Sequence, residues 1–418
     1  MSHDAIVIGG GIIGCSTAWH LARRGARVTV LEREARVGLG STARSTAIVR
    51  QRYSHEAAMA LALEGLREWE RWSDRVPPGD QGKRASLRNC GVLFLLPAGE
   101  PSTPQLARSM RQVGIVAEQL DRDALAQRFP TLQFDADESV EGLYEPEGGY
   151  VDAPEQATRD VARAAAAAGA NIVTGARVRE VLTEWRDGGL SVRGVRTDAN
   201  ELLEAPTVIN CAGPHSGWVN LVARSPLALQ TAPLRQVVLH ATATSQAERL
   251  AALPVIADLR HGYYLRPDPE RLRIGAVWPE DETEWIAEAD AHEPTAERAV
   301  LQRRLEAARK RVPWLEPDQI MGLVGLYDVT VQDWYPIVDR TDTRGYFVAI
   351  GTSGAWFKAA PVIGWLASEV VTANVSGRNT DAQPLELTLP NTGYRFPMSL
   401  FSRRRTPVPL AYGGGVLG

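Results

Sequence analysis

Apolar residues along this chain follow two rhythms, and each predicts a different kind of element. Short, nearly unbroken apolar runs at residues 5–8, 28–31, 92–96, 208–211 and 346–350 read as strands buried on both faces. Helical spacing appears over residues 54–72, where Leu61, Leu66 and Trp69 share a face and Ser54 is the expected N-cap. It appears again over residues 294–312, with Val300, Leu301 and Leu305 facing inward. Asp152 and Glu155 read as a capping box ahead of a helix over residues 161–168 that ends at Gly169, and residues 361–371 read as a last helix. Shorter strands are expected at 172–173 and 191–195. Between residues 236 and 277 short strands and turns alternate, which predicts a mostly antiparallel sheet.

The first strand runs into Gly9-Gly10-Gly11-Ile12-Ile13-Gly14, a helix follows, and the second strand ends in Glu32. Strand, glycine turn, helix, strand and acidic residue in that order form a dinucleotide-binding fingerprint. Gly9 and Gly11 allow the tight turn and the close approach of a pyrophosphate, and Gly14 allows the helix to pack on the strand. The helix N-terminus offers free N–H groups to the phosphates. Glu32 is placed to accept hydrogen bonds from a ribose. The fingerprint does not distinguish FAD from NAD.

Strand and helix alternate in the first fifty residues and again over residues 152–214, so one α/β domain is expected to be discontinuous. The expected Rossmann-like dinucleotide domain comprises residues 1–85, 148–222 and 322–388, with a second domain of 86–147 and 223–321 carrying the antiparallel sheet. After Ser376 the pattern fades. Residues 389–418, with Arg403-Arg404-Arg405 and Gly413-Gly414-Gly415, have the composition of a linker and read as a tail.

Composition narrows the function. A chain of 418 residues is too long for one compact core, and 44% hydrophobic with 23% charged residues is ordinary for a globular protein. A formal net charge of -4 argues against a nucleic-acid partner, whose phosphates need a basic face. No apolar run approaches the length of a membrane span. The first strand begins directly after Met1-Ser2-His3-Asp4, so no signal peptide and a cytoplasmic location are expected. Three dispersed cysteines, Cys15, Cys90 and Cys211, suggest neither disulfides nor a metal site, and the seven histidines form no ligand motif.

Four segments together resemble the amine-oxidising flavoprotein family of sarcosine oxidases, dimethylglycine dehydrogenases and D-amino-acid oxidases. They are the N-terminal fingerprint, Gly40-Ser41-Thr42-Ala43-Arg44-Ser45-Thr46-Ala47-Ile48-Val49-Arg50, Asn210-Cys211-Ala212-Gly213-Pro214, and Gly351-Thr352-Ser353-Gly354-Ala355-Trp356-Phe357-Lys358. The sarcosine oxidase and dimethylglycine dehydrogenase branch is the nearest in kind. The resemblance implies FAD, a Rossmann-like flavin domain, and a substrate domain with an antiparallel sheet at the flavin.

By resemblance, the cofactor is held by Gly9, Gly11, Ile12, Ile13, Gly14, Glu32 and Arg33, by Ser41, Thr42, Arg44, Ser45 and Thr46 of the second motif, and by the backbone of Val178. Ala212, Gly213, Gly325, Gly351, Ser353, Gly354, Phe357 and Lys358 complete that set. Lys358 is expected near the flavin pyrimidine edge, where negative charge develops on hydride transfer. Arg50 is a candidate carboxylate anchor, because a guanidinium grips both oxygens at once. Tyr263, Tyr264 and Tyr327 are expected to wall the substrate pocket.

The chain also departs from the family pattern. No cysteine stands in residues 324–330, where monomeric sarcosine oxidases tether FAD, and Gly325 takes its place. No histidine stands in residues 41–50, where dimethylglycine dehydrogenases have theirs. Noncovalent FAD is therefore expected. Arg273 aligns with a lysine that helps oxygen react in the oxidases, which leaves the acceptor open between oxygen and a partner redox protein. The implied reaction is hydride transfer from a carbon beside nitrogen in a secondary or tertiary amino acid. Two alternatives are an alcohol dehydrogenase of the glycerol-3-phosphate kind and a flavin-binding subunit of a larger complex.

Overall fold

The computed structural model describes residues 3–79, 82–100, 102–278 and 284–409. Two large sheets organise these residues. The first has six strands in the order Ile337–Arg340, Tyr346–Ile350, Val208–Asn210, Ala5–Ile8, Val28–Leu31, Asn171–Val173. All neighbours in it are parallel except the Ile337–Arg340 edge, which pairs antiparallel with Tyr346–Ile350. Its central strands are buried along their whole length, which is why they read as unbroken apolar runs. Helix Ile12–Ala22 packs between Ala360–Val375 and Pro154–Ala167 on one face. There the Ser16 hydroxyl donates to the Pro361 carbonyl at 3.1 Å.

The second sheet is built around the long pair Thr231–Thr242 and Gln319–Thr330, antiparallel over twelve residues each. It continues through Arg271–Ala276, Tyr263–Asp268 and Val255–Asp258 to Val92–Pro97, Val140–Glu145 and Glu118–Leu120. One contact, Val255–Asp258 with Val92–Pro97, is parallel. Leu239, Leu265, Leu272 and Ile274 face a separate core closed by Leu301, Ala308 and Val312 of helix Arg298–Arg309 and its end. Alternate residues such as Tyr264 and Arg266 face the other way, toward the first core and residue Thr46. A meander of Val178–Arg186, Gly189–Thr197 and Leu202–Glu204 stands beside the parallel sheet.

Three local expectations are corrected. Helix Glu56–Glu70 is capped by His55, whose ring accepts from the Ala57 N–H at 3.2 Å, and not by Ser54. Helix Pro154–Ala167 starts earlier than expected and has no capping box, because Asp152 instead accepts from the Ser86 N–H and hydroxyl at 2.9 and 2.8 Å. Pro154 at the first turn needs no N–H partner and starts that helix by its fixed φ.

The expected linker after residue 388 is packed as far as it is described. Glu386–Thr388 pairs with Arg395–Pro397, and Phe396 and Phe401 are fully buried. Arg403 is 4% exposed and is bound by Asp339 at 3.3 Å, Asp342 at 2.6 Å and Asp381 at 2.6 Å. Arg405 donates to both oxygens of Asp333 at 2.8 and 2.9 Å. These buried ion pairs carry no apolar period, so the pattern reads as polar and misses them. Gly413-Gly414-Gly415 lies outside the described residues.

Candidate functional site

A cavity of about 490 Å³ follows the carboxyl ends of the parallel strands, with Ile8, Leu31, Cys211 and Ile350 in its wall. Ligands bind at such strand ends in open α/β sheets, because the turns into the helices leave a crevice there. The glycine turn forms its floor. Gly9 has φ 106° and lies so near the third strand that a Cβ would fall 2.4 Å from the Cys211 carbonyl oxygen. A Cβ on Gly14 would fall 2.0 Å from the Gly9 carbonyl oxygen, so both positions exclude side chains. Gly11 is different: its nearest neighbour in that direction is the Thr42 hydroxyl at 3.6 Å, so its side faces the cavity. This is a cradle that a Cβ would partly fill and that a pyrophosphate fits.

Glu32, at the end of the second strand, is 9% exposed. Its two oxygens accept the Gly10 N–H at 2.6 Å and the Glu34 N–H at 2.8 Å, while burial raises its pKa. The carboxylate thereby fixes the turn while lining the cavity. Arg33 reaches the mouth, where it donates to Asp290 at 2.8 Å beside His215, 2.9 Å from the same carboxylate. Arg177 approaches the other oxygen at 3.4 Å. Burial pushes the Asp290 carboxyl up, but hydrogen bonds from His215 and Arg33 outweigh it and hold it at about 2.

The second motif forms a short helix, Ser41–Arg44, fastened to the strand Gln319–Thr330. The Ser41 hydroxyl donates to the Leu326 carbonyl at 2.5 Å, and the Tyr327 hydroxyl donates to the Arg44 carbonyl at 2.8 Å. Ser41, Thr42, Arg44, Ser45 and Tyr327 all line the cavity, as do Ile12, Ile13, Val178, Ala212, Gly213, Ser353 and Phe357. Gly14, Thr46, Gly325, Gly351, Gly354 and Lys358 stand behind this lining. Gly325 sits where a Cβ would come within 2.8 Å of Arg44, so it lets the second motif approach the strand.

Arg50 and Lys358 come together around one ring. The Arg50 guanidinium lies 4.4 Å from the centre of Tyr53 and donates to the Arg52 carbonyl, and the Lys358 ammonium lies 5.4 Å from the same centre. Lys358 donates to the Tyr53 hydroxyl at 3.2 Å and to the Ala355 carbonyl. It is 3% exposed, and burial followed by the charge of Arg50 drives its pKa well below that of a free lysine. Nearby, Glu145 accepts the Gln51 and Arg52 N–H groups at 2.8 and 2.6 Å, and burial raises it to about 7. Neither Arg50 nor Lys358 lines the cavity, although Phe357, beside Lys358, does. Trp69 donates to the Lys358 carbonyl at 2.7 Å and so fixes this segment on helix Glu56–Glu70.

On the large sheet, Tyr264 pairs with Gly275 and its ring occupies the space over that glycine. Two residues along, Arg273 bonds to Asp268 at 2.7 Å, beside the fully buried Arg266. Arg266 donates to the Thr46 carbonyl at 2.6 Å and lies 4.0 Å from the centre of Tyr150, tying the sheet to the second motif. Sequence reasoning missed Arg266, Tyr53, Glu145 and Asp290, which bear no motif of their own. Tyr263 is a correction. It belongs to the core on the far side of the sheet, because adjacent strand residues point to opposite faces.

No group of three or more His, Cys, Asp or Glu among the described residues has the arrangement to hold a metal ion. No helix among them is long and apolar enough to cross a membrane.

The FAD dependent oxidoreductase family, DAO, matches residues 4–370 of this chain. The chain belongs to that family. The glycine cradle, Glu32 and the second motif are a donor and acceptor set that suits the dinucleotide for which the family is described. The chain is 26% identical over 361 residues to mitochondrial sarcosine dehydrogenase of Homo sapiens, a match over 84% of this chain and 38% of that protein. This chain therefore spans about two fifths of that relative's length. It is 26% identical over 373 residues to sarcosine oxidase subunit beta of Rhizobium meliloti, over 87% of this chain and 83% of that one. Among solved structures, L-proline dehydrogenase from P. horikoshii superposes with a TM-score of 0.77 at 23% identity, covering 90% of this chain and 94% of that one, and shares the fold.

Proposed function

We propose that this chain acts as an oxidoreductase on the C–N bond of a secondary or tertiary amino acid, such as an N-methylated glycine or a cyclic imino acid, using noncovalent FAD. The observation that carries this reading is the pairing of Arg50 and Lys358 around Tyr53, directly beside the Phe357 wall of the cofactor cavity. A guanidinium beside a buried amine that a bound carboxylate would draw back toward its charged form suits a carboxylate, and charged hydrogen bonds of this kind contribute about 1.5–3 kcal/mol each. The names of the relatives, sarcosine dehydrogenase and sarcosine oxidase subunit beta, support the same substrate class.

FAD, when bound, supplies the two-electron acceptor for the hydride on the carbon beside nitrogen. The protein's part is to hold the carboxylate, to keep water away through Tyr264 and Tyr327, and to place positive charge where electrons arrive. Lys358, with its depressed pKa, also suits an exchange of protons with its surroundings. Gly325 in place of a tethering cysteine supports noncovalent attachment. A second reading, a flavin-bearing subunit of a larger enzyme, is favoured by the match over 83% of a subunit beta.

Anaerobic mixing with N-methylglycine, N,N-dimethylglycine, proline and glycerol 3-phosphate tests the proposal. Bleaching of the flavin by one of the amines at a catalytic rate supports it. Bleaching by glycerol 3-phosphate alone would overturn it, and reduction that requires a co-purified partner would favour the subunit reading. Acid precipitation is expected to leave the flavin in the supernatant, and a yellow pellet would contradict noncovalent attachment.

A further inference from the structure

Asp328 stands in the wall of the cofactor cavity, on the strand Gln319–Thr330. It holds the last glycine turn at two points. Its carboxyl Oδ2 accepts the Gly351 N–H at 2.7 Å, and its main-chain carbonyl accepts the Ser353 N–H at 2.7 Å. Between these two bonds, Thr352 bridges to Val329. The turn needs such support, because Ser353 has φ 47°, a conformation that costs a serine of order 1 kcal/mol or more. Ser353 itself faces the cavity, so this one residue sets the shape of a surface the cofactor meets.

The carboxyl is 3% exposed, and its other oxygen, Oδ1, has no hydrogen-bond partner among the described residues. The hydroxyls of Thr231, Ser216 and Thr330 are unpartnered in the same way. Thr231 and Ser216 flank the carboxyl, with hydroxyls near enough to favour its ionised form, and the Thr330 hydroxyl lies against Gly351. No charged side chain bears on the group. What faces it is the Gly351 amide and these hydroxyls. An ionised carboxylate in this place has one fixed N–H donor, two rotatable hydroxyls and no cation to offset its burial, which is a costly arrangement. A neutral acid fits better, since Oδ2 accepts from Gly351 while an O–H on Oδ1 can donate to a neighbouring hydroxyl oxygen.

We propose that Asp328 is a positioning residue for the flavin and works as a neutral carboxylic acid, so that its ionisation loosens the Gly351-Thr352-Ser353 turn and weakens FAD binding. Burial raises the carboxyl to about 7, against the opposing pull of the Gly351 N–H, which puts the transition within reach of ordinary buffers. Since the folded protein holds this proton where the unfolded chain has lost it, the contribution of Asp328 to stability falls as pH rises from about 4 to about 7.

The test is release of FAD from the holoenzyme on dilution, followed by flavin fluorescence from pH 5.5 to 8.5. Wild-type protein is expected to bind FAD most tightly below the transition and to weaken above it, by about tenfold for each unit by which binding shifts the titration. Asp328→Asn keeps an acceptor for Gly351 and cannot ionise, so its affinity is expected to match the low-pH wild type at every pH. Asp328→Ala is expected to bind weakly throughout. A flat wild-type profile, an unchanged slope in Asp328→Asn, or an Asp328→Asn as weak as Asp328→Ala would each overturn the proposal. If neither variant folds, Ser216→Ala serves instead. Losing a hydroxyl that favours the ionised form is expected to move the wild-type midpoint to higher pH, and an unmoved midpoint counts against the proposal.

Discussion

The parallel sheet and the antiparallel sheet shape the two sides of the site by different means. At the strand ends of the parallel sheet the surface is mostly main chain, and the decisive distances, 2.4 Å at Gly9 and 2.0 Å at Gly14, are those at which any side chain would collide. On the antiparallel sheet the cavity is lined by residues such as Leu323, Val324, Leu326 and Tyr327, while Arg266 of a neighbouring strand ties the sheet to the second motif from behind. Main-chain binding demands glycine at fixed spacing and so leaves a local signature. Side-chain binding demands only register, which depends on pairings across many residues.

The largest expected effect breaks the main-chain side. Gly14→Val puts a branched side chain against the Gly9 carbonyl and is expected to abolish bound flavin and lower the melting temperature together. Gly11→Ala points into the open cavity and is expected to fold normally yet lose most of its flavin, measured by absorbance per mole of protein. Equal folding and equal flavin content in both variants would remove the distinction between packing and cofactor contact.

The next effect falls on the antiparallel side and concerns stability alone. Arg311 is 2% exposed and binds Asp258 at 2.7 Å and Glu138 at 2.5 Å, on the face away from the cofactor cavity. Asp258→Ala removes one of the two carboxylates that hold this guanidinium, leaving Glu138, and is expected to cost about 1.5–3 kcal/mol in urea denaturation. FAD affinity at low temperature is expected to stay unchanged. Loss of flavin in proportion to stability would mean that the two sheets are not separable in this way.

Of similar size is Lys358→Met, expected to weaken binding of a carboxylated amine and slow flavin reduction by about 1.5–3 kcal/mol, or roughly ten- to a hundredfold. Because burial, then Arg50, depresses the folded pKa of Lys358, the unfolded chain binds more protons and this group's contribution to stability rises with pH. The variant is therefore expected to gain stability toward the acid end of the depressed range, as read by melting temperature against pH. Smallest is Arg273→Lys, expected to quicken reoxidation by oxygen while leaving reduction by substrate nearly untouched. No change in reoxidation would remove Arg273 from the acceptor side.

Legibility followed the same division. The strands at residues 5–8, 28–31 and 346–350 were readable because burial on both faces leaves an unbroken apolar run. Helix starts are less legible. Asp152 had the spacing of a cap, yet its carboxylate went to Ser86, a partner distant in sequence that no local rule anticipates. The segment after residue 388 failed for a related reason, since Arg403 and Arg405 are buried by pairing with Asp339, Asp381 and Asp333 and look like solvent-facing charge. Tyr263 and Tyr264 could not be told apart, because one register step decides which of them faces the cofactor side. Arg266 carries no motif at all; its role follows from reaching the Thr46 carbonyl across 220 residues.

The most direct measurement of the central claim compares N-methylglycine with its methyl ester as anaerobic reductants of the bound flavin in wild-type and Lys358→Met protein. Fast bleaching of the wild type by N-methylglycine is expected, with a much slower reaction with the ester and a variant in which this difference largely disappears. Equal rates for acid and ester in the wild type would contradict a carboxylate pocket at Arg50 and Lys358.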